Sequence, residues 1–192
     1  CSGCAVRWAE RWRRAGARPV EIALKPPEWR IDREALDAAH TAKTRAIIFN
    51  NPHNPSSRVF EEAELRLLAE ACLRHDVIAL SDEVWEHVVF DGRRHLPLAT
   101  LPGMRERTVK IGSAGKIFSL TGWKVGWTVA PPALTGPIAK AHQFLTFSTA
   151  PNLQAAAAYG LGKEEGYFER MRADFAGSRD WLAGALHAEG FA

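Results

Sequence analysis

The sequence predicts an α/β fold, a mainly parallel β-sheet flanked by helices, and two observations carry that prediction. Short apolar runs alternate with stretches of helical periodicity, which is the pattern of βα units. Polar and glycine-bearing segments fall directly after the apolar runs, where the strands of an open sheet hand over to their loops. Composition agrees with a globular chain: of 192 residues, 46% are apolar and 24% charged, and this length is enough for one domain with a real core.

In chain order, residues 20–24 read as a short strand and 32–40 as a helix opened by Asp32, with Glu34 in its first turn. A buried strand follows at 45–49, then a proline-broken loop at 50–57. Residues 61–75 form an amphipathic helix with Leu65, Leu68, Ala69 and Cys72 on one face. The strand at 77–80 runs straight into Ser81 and Asp82. Residues 108–111 form another strand, which delivers the chain to a turn of Gly112, Ser113, Ala114 and Gly115, with Lys116 next. A strand at 125–130 is closed by Pro131 and Pro132. Helices are expected at 134–147, 153–161 and 164–187. No internal repeat or long linker interrupts this order before about residue 161.

Several function classes are disfavoured. No apolar run reaches the roughly 20 residues needed to span a bilayer, so a membrane partner is not expected. Net charge is only +3, and the one basic cluster, Arg7, Arg11, Arg13, Arg14 and Arg18, has no accompanying nucleic-acid motif. Cys1 and Cys4 have C-x-x-C spacing, but no second pair completes a four-ligand metal site. With Cys72 they are the only cysteines, which fits a reducing compartment, and a cytoplasmic location is expected.

Three polar segments past the strands are the candidate site: Asn51-Pro-His-Asn54-Pro, Ser81-Asp82-Glu83, and Gly112-Ser113-Ala-Gly-Lys116. Taken singly, Asp82 reads as a cap, Asn54 as a turn former, Ser113 as a small turn residue and Lys116 as a solvated lysine. Gly115-Lys116 after a strand also suggests a phosphate loop. That motif needs four residues between its glycines and Ser or Thr after the lysine, whereas two intervene here and Ile117 follows.

Read jointly, the run from Gly112 through Lys116 to Gly122-Trp-Lys124-Val-Gly-Trp127 resembles the active-site lysine segment of the class I and II aminotransferases, which are fold-type-I pyridoxal-phosphate (PLP) enzymes. It is especially similar to the kynurenine and methionine aminotransferase branch. The Asn51–Pro55 loop and the run from Ser81 to Gly92 match two further motifs in the right order, and the likeness extends from about Gly16 onwards. The resemblance implies the central part of the PLP-dependent transferase large domain at 1–162, and a helix leading into a truncated small domain at 163–192.

It also implies roles. Lys116 holds the cofactor in a Schiff base and shuttles a proton, and Asp82 pairs with the pyridine nitrogen so that the ring can act as an electron sink. Asn54 bonds the ring's O3′, and Ser113 and Lys124 bind the phosphate, a hydroxyl and an ammonium suiting a dianion. Phe147 resembles a residue lent to a neighbour's active site in a homodimer; its other reading is a core aromatic. The implied partners are an amino acid and a 2-oxo acid. A β-lyase acting on cysteine conjugates uses the same scaffold, and a non-catalytic remnant is the alternative from another class.

The sequence departs from that pattern in places. Trp85 stands where the family has a Tyr whose hydroxyl bonds O3′, and an indole N–H is placed differently. Ser56-Ser57 replaces Thr-Gly in a turn that favours positive φ, and Ile117 replaces Thr. Family members are about twice this length, so the chain is expected to be a fragment, inactive by itself.

Overall fold

The computed structural model describes residues 9–191. Cys1, Cys4 and Arg7 lie outside the described residues. After a helical stretch at 9–14, the elements are α1 (Arg33–Ala39), β1 (Ala46–Asn50), α2 (Glu62–Arg74), β2 (Ile78–Asp82), β3 (Thr108–Ser113), α3 (Ala114–Ile117), β4 (Gly126–Val129), α4 (Pro132–Leu145), α5 (Pro151–Leu161) and α6 (Glu165–Ala188). Short 3-10 turns lie before β3 and between α3 and β4.

The four strands form one sheet in the order β1-β2-β3-β4. β1, β2 and β3 are mutually parallel, and β4 runs antiparallel to β3. Asn50 stands opposite Asp82, and Asp82 opposite Ile111, so β1 and β2 end level and β3 runs two residues further, to Ser113. Because β4 runs the other way, its first residue, Gly126, faces Ser113 at the end of β3. The start of β4 therefore shares an edge of the sheet with the ends of the other three, and the site residues gather there.

The helices form where their caps and apolar stripes direct. Asp32 accepts a hydrogen bond from Ala35 N at 2.8 Å and opens α1. Glu64 accepts from the Glu61 backbone N–H at 3.3 Å at the start of α2, tying down a donor that the first turn leaves unpaired. α2 buries Leu65, Leu68, Ala69, Ala71 and Cys72, the face that the periodicity marks. They join Leu36, Phe60, Ala79, Leu98, Leu101 and Met104 in the main core, on the α1/α2 side of the sheet. A smaller core of Ala114, Val125 and Ala157, with Phe118, Trp127 and Leu153 packed against it, seats α3 on α5.

Three expectations need correction. Residues 20–24 form no sheet strand. Ile22 and Leu24 pack against the main core while the residues beside them are exposed, so the alternation is satisfied by packing without a backbone ladder. The expected turn at 112–115 is also absent: pairing with β4 carries β3 through Ser113, and the chain turns directly into α3, which bears Lys116. Phe147 is 77% exposed and has φ +65°, so within this chain it is not a core aromatic.

Ser57 adopts φ +58°, a region costly for any residue with a Cβ. Its backbone N–H bonds His53 O at 2.8 Å and its side chain is exposed. Ser57→Gly is expected to stabilise the chain by about 0.5 to 1 kcal/mol, the left-handed penalty less the extra freedom of glycine in the unfolded state. The check is a higher denaturant midpoint at unchanged slope.

Candidate active site

Two strand ends bring Asp82 and Lys116 together. Asp82 closes β2, and its neighbours Ser81 and Glu83 are buried while it is half-buried, as the alternation of a strand requires. Lys116 projects from the single turn of α3, one strand over. Burial pushes the Asp82 carboxyl above the usual carboxylate range, and the charge of Glu83 adds to that rise. A hydrogen bond from the Val84 N–H and the charge of Lys116 act against it. Asp82 and Lys116 therefore sense each other electrostatically, as an acid and an amine serving one ligand must.

Trp85 completes this corner. Lys116 Nζ lies 5.0 Å from the centre of its ring, within range of a cation–π contact worth about 0.5 to 1 kcal/mol at a partly exposed site. The indole thus meets the lysine ammonium with its face.

The asparagine loop is tied to the same edge by its own side chains. Asn50 Nδ2 donates to Asp82 O at 2.9 Å, and Asn50 Oδ1 accepts from the Asn54 backbone N–H at 2.7 Å. One side chain thereby fixes the spacing between the loop and β2. Asn51, buried, donates its backbone N–H to Asp82 O at 3.0 Å and accepts from Phe60 N at 3.1 Å. The Asn54 side chain stays exposed.

Ser113 ends β3 opposite Gly126, and Lys124 lies two residues before Gly126, at the entry to β4. Lys124 has φ +58°, a strained conformation in a non-glycine residue, and such conformations concentrate at binding sites. Gly112 has a specific task here: a Cβ at that position would lie 2.3 Å from Trp127 Nε1. Only glycine lets the indole lie across the end of β3 and hold β4 in register. Gly115 likewise packs closely, its notional Cβ 3.3 Å from Ser113 Oγ.

Among the described residues, the side chains of Asn54, Ser113, Lys116 and Lys124 form no hydrogen bond or ion pair within the protein. An amide, a hydroxyl and two ammonium groups left available around one carboxylate and one aromatic face fit an anionic aromatic cofactor such as PLP. Glu83, Glu86 and His95 also bring side-chain N and O atoms within 4.8 Å of one another, but the cation beside them is the Lys110 ammonium.

Asn50, and the Glu83 partners His95 and Lys110, carry no motif signal in the sequence. A detectable signal existed for Glu83, since a second acid directly after a strand's terminal Asp must point to the opposite face and find partners there. Lys110 in the middle of an apolar strand was a second signal.

The class of protein follows from comparison with known families. The profile described as "Aminotransferase class I and II" matches residues 8–192, and the chain belongs to that family, whose members use PLP. It is 45% identical over 166 residues to the kynurenine–oxoglutarate transaminase of Dictyostelium discoideum, covering 84% of this chain and 38% of that protein. It is 41% identical over 180 residues to a probable N-succinyldiaminopimelate aminotransferase of Mycobacterium tuberculosis, covering 93% of this chain and 45% of the relative.

Solved structures agree. The N-succinyldiaminopimelate aminotransferase of M. tuberculosis superposes with a TM-score of 0.90 at 40% identity, over 94% of this chain and 48% of that one. YbdL of Escherichia coli, described as having a methionine aminotransferase function, gives 0.89 at 37% identity with the same coverage. The chain spans less than half the length of these relatives.

Proposed function

We propose that this chain forms the cofactor-holding core of a PLP-dependent aminotransferase that moves an amino group between an amino acid and a 2-oxo acid. The observation that carries the reading is the meeting of Asp82 and Lys116 at neighbouring strand ends, with the Trp85 face beside the amine. When bound, the cofactor supplies a protonated ring that takes up the electron pair left as the substrate α-proton departs.

Each residue then has a task. Lys116 attaches the cofactor and afterwards carries the proton to and from the α-carbon. Asp82 holds the ring nitrogen's proton. Asn54 would supply a hydrogen-bond donor to the bound cofactor and the Trp85 indole an apolar wall beside it. Ser113 and Lys124 take the phosphate through a hydroxyl and a point charge.

We place residues 1–162 in the cofactor-binding domain and 163–192 on the helix leaving it. That helix, α6, is anchored by Phe168 stacking on His87 at 4.2 Å and by Arg179 gripping Asp91 at 2.8 and 3.1 Å. Exposed Phe144, Leu145 and Phe147 support a homodimer in which Phe147 reaches a neighbouring site. The reading is of a cytoplasmic enzyme with no nucleic-acid or membrane partner; no helix among the described residues is long and apolar enough to cross a membrane.

The test is to incubate the chain with PLP, reduce with borohydride and map the modified peptide. A pyridoxyl group on Lys116 is expected. Modification of a different lysine, or none, sinks the assignment.

A further inference from the structure

Asp82 ends β2, and Asn54 stands in the irregular loop that follows β1. One side chain, Asn50, bonds the backbone of both. Asn50 is the last residue of β1 and lies opposite Asp82 in the parallel register. Its Nδ2 donates to Asp82 O at 2.9 Å, across 32 positions of sequence, and its Oδ1 accepts from the Asn54 backbone N–H at 2.7 Å. A carbonyl can only accept and an N–H can only donate, so these two partners fix which way the amide faces.

The two ends of this bridge are held unequally. Asp82 O also accepts from the Asn51 N–H at 3.0 Å, and β2 lies between β1 and β3, so the backbone of the acid is fixed by the sheet. Asn54 has no such support. Among the described residues, its backbone N–H bonds Asn50 alone. The turn beyond it closes on itself, His53 N–H on Arg58 O and Ser57 N–H on His53 O, both at 2.8 Å, and the far end of the loop is held separately, at Phe60 N by Asn51. The turn therefore sets the shape of the loop, whereas Asn50 ties Asn54 to the sheet. A side chain of the same length cannot replace it: Asp lacks the donor, and Leu lacks both polar groups.

We propose that Asn50 is a positioning residue of the cofactor site: its amide holds the Asn54 backbone at a fixed spacing from Asp82, so that the Asn54 donor and the Asp82 carboxyl serve one bound ring together. The proposal rests on the reading of both as cofactor partners. Asn50 acts through these two neighbours. A donor held in place beforehand spares the bound state the cost of ordering it.

The test is a double-mutant cycle of Asn50→Ala and Asn54→Ala, read as PLP affinity from the visible absorbance of the chain titrated with PLP. Asn50→Ala is expected to weaken binding on the order of tenfold, and to weaken it clearly less when residue 54 is already alanine, since the donor it places is then gone. A merely structural Asn50 would weaken both backgrounds by equal factors. Equal factors, or no weakening at all, overturn the proposal. Should either variant not fold, hydrogen exchange of the Asn54 backbone amide in the unmutated chain decides: slowed exchange is expected, and exchange at the rate of an open-chain amide overturns the proposal. Pyridoxyl labelling of Lys116 in the unmutated chain together with equal factors overturns this proposal and spares the proposed function. An unmutated chain that takes no label on Lys116 overturns the proposed function, and the role of Asn50 with it.

Discussion

Lys116→Ala is expected to abolish the cofactor's visible absorbance in the loaded chain and the borohydride-fixed pyridoxyl group and, on the proposed function, to lower amino-group exchange at least about 10⁴-fold. A positioned acid–base group contributes up to about 10⁴-fold by itself, and the proposed function makes this lysine both nucleophile and proton carrier. The loss is specific to chemistry. Lys116 is half-buried and its one contact of note is the Trp85 face, so stability is expected to change by no more than about 1 kcal/mol. Thermal unfolding beside absorbance separates the two effects. A variant that keeps its absorbance would show that another amine carries the cofactor.

Phe60→Ala is expected to destabilise the chain by about 3 to 5 kcal/mol, the usual cost of emptying a buried aromatic position. Phe60 is 2% exposed. Its ring packs 4.9 Å from Phe49 at the end of β1 and carries the Arg58 guanidinium 5.2 Å above it, while its backbone N–H is held by Asn51. It therefore anchors both the core and the far end of the loop that presents Asn54. Chemical denaturation checks the magnitude, and a loss below about 1 kcal/mol would show that α2 and β1 close over the gap. In variants that still fold, cofactor affinity should fall as well, because the loop loses its downstream anchor.

Much of this was legible before any coordinates. The helix over Glu62–Arg74 follows from its apolar spacing, and β1 and β2 follow from short buried runs ended by polar residues. The positive φ of Ser57 was implied by a turn pattern that wants glycine. Other features were not legible because they arise between segments. Residues 20–24 have strand-like alternation, yet alternation reports which side chains are buried and is silent on whether a backbone partner is present. The end of β3 is set by its pairing with β4, so the run Gly112-Ser113 reads locally as a turn and is built as strand.

The sequence by itself determined which chemical groups the candidate site contains: an amide, a carboxylate, a hydroxyl and an amine at or just past strand ends, and a second amine, Lys124, just before β4. Residue type and position after an apolar run are local properties, and local patterns suffice to state them. Only the tertiary structure decided that these groups share one edge of the sheet, that the Trp85 ring faces Lys116, and that Glu83 lies buried next to Asp82. Those facts depend on strand order, on the antiparallel entry of β4 and on contacts between residues far apart in sequence, such as Trp85 with Lys116, 31 positions apart. Such relations exist only once the chain has closed on itself and excluded water from between its parts.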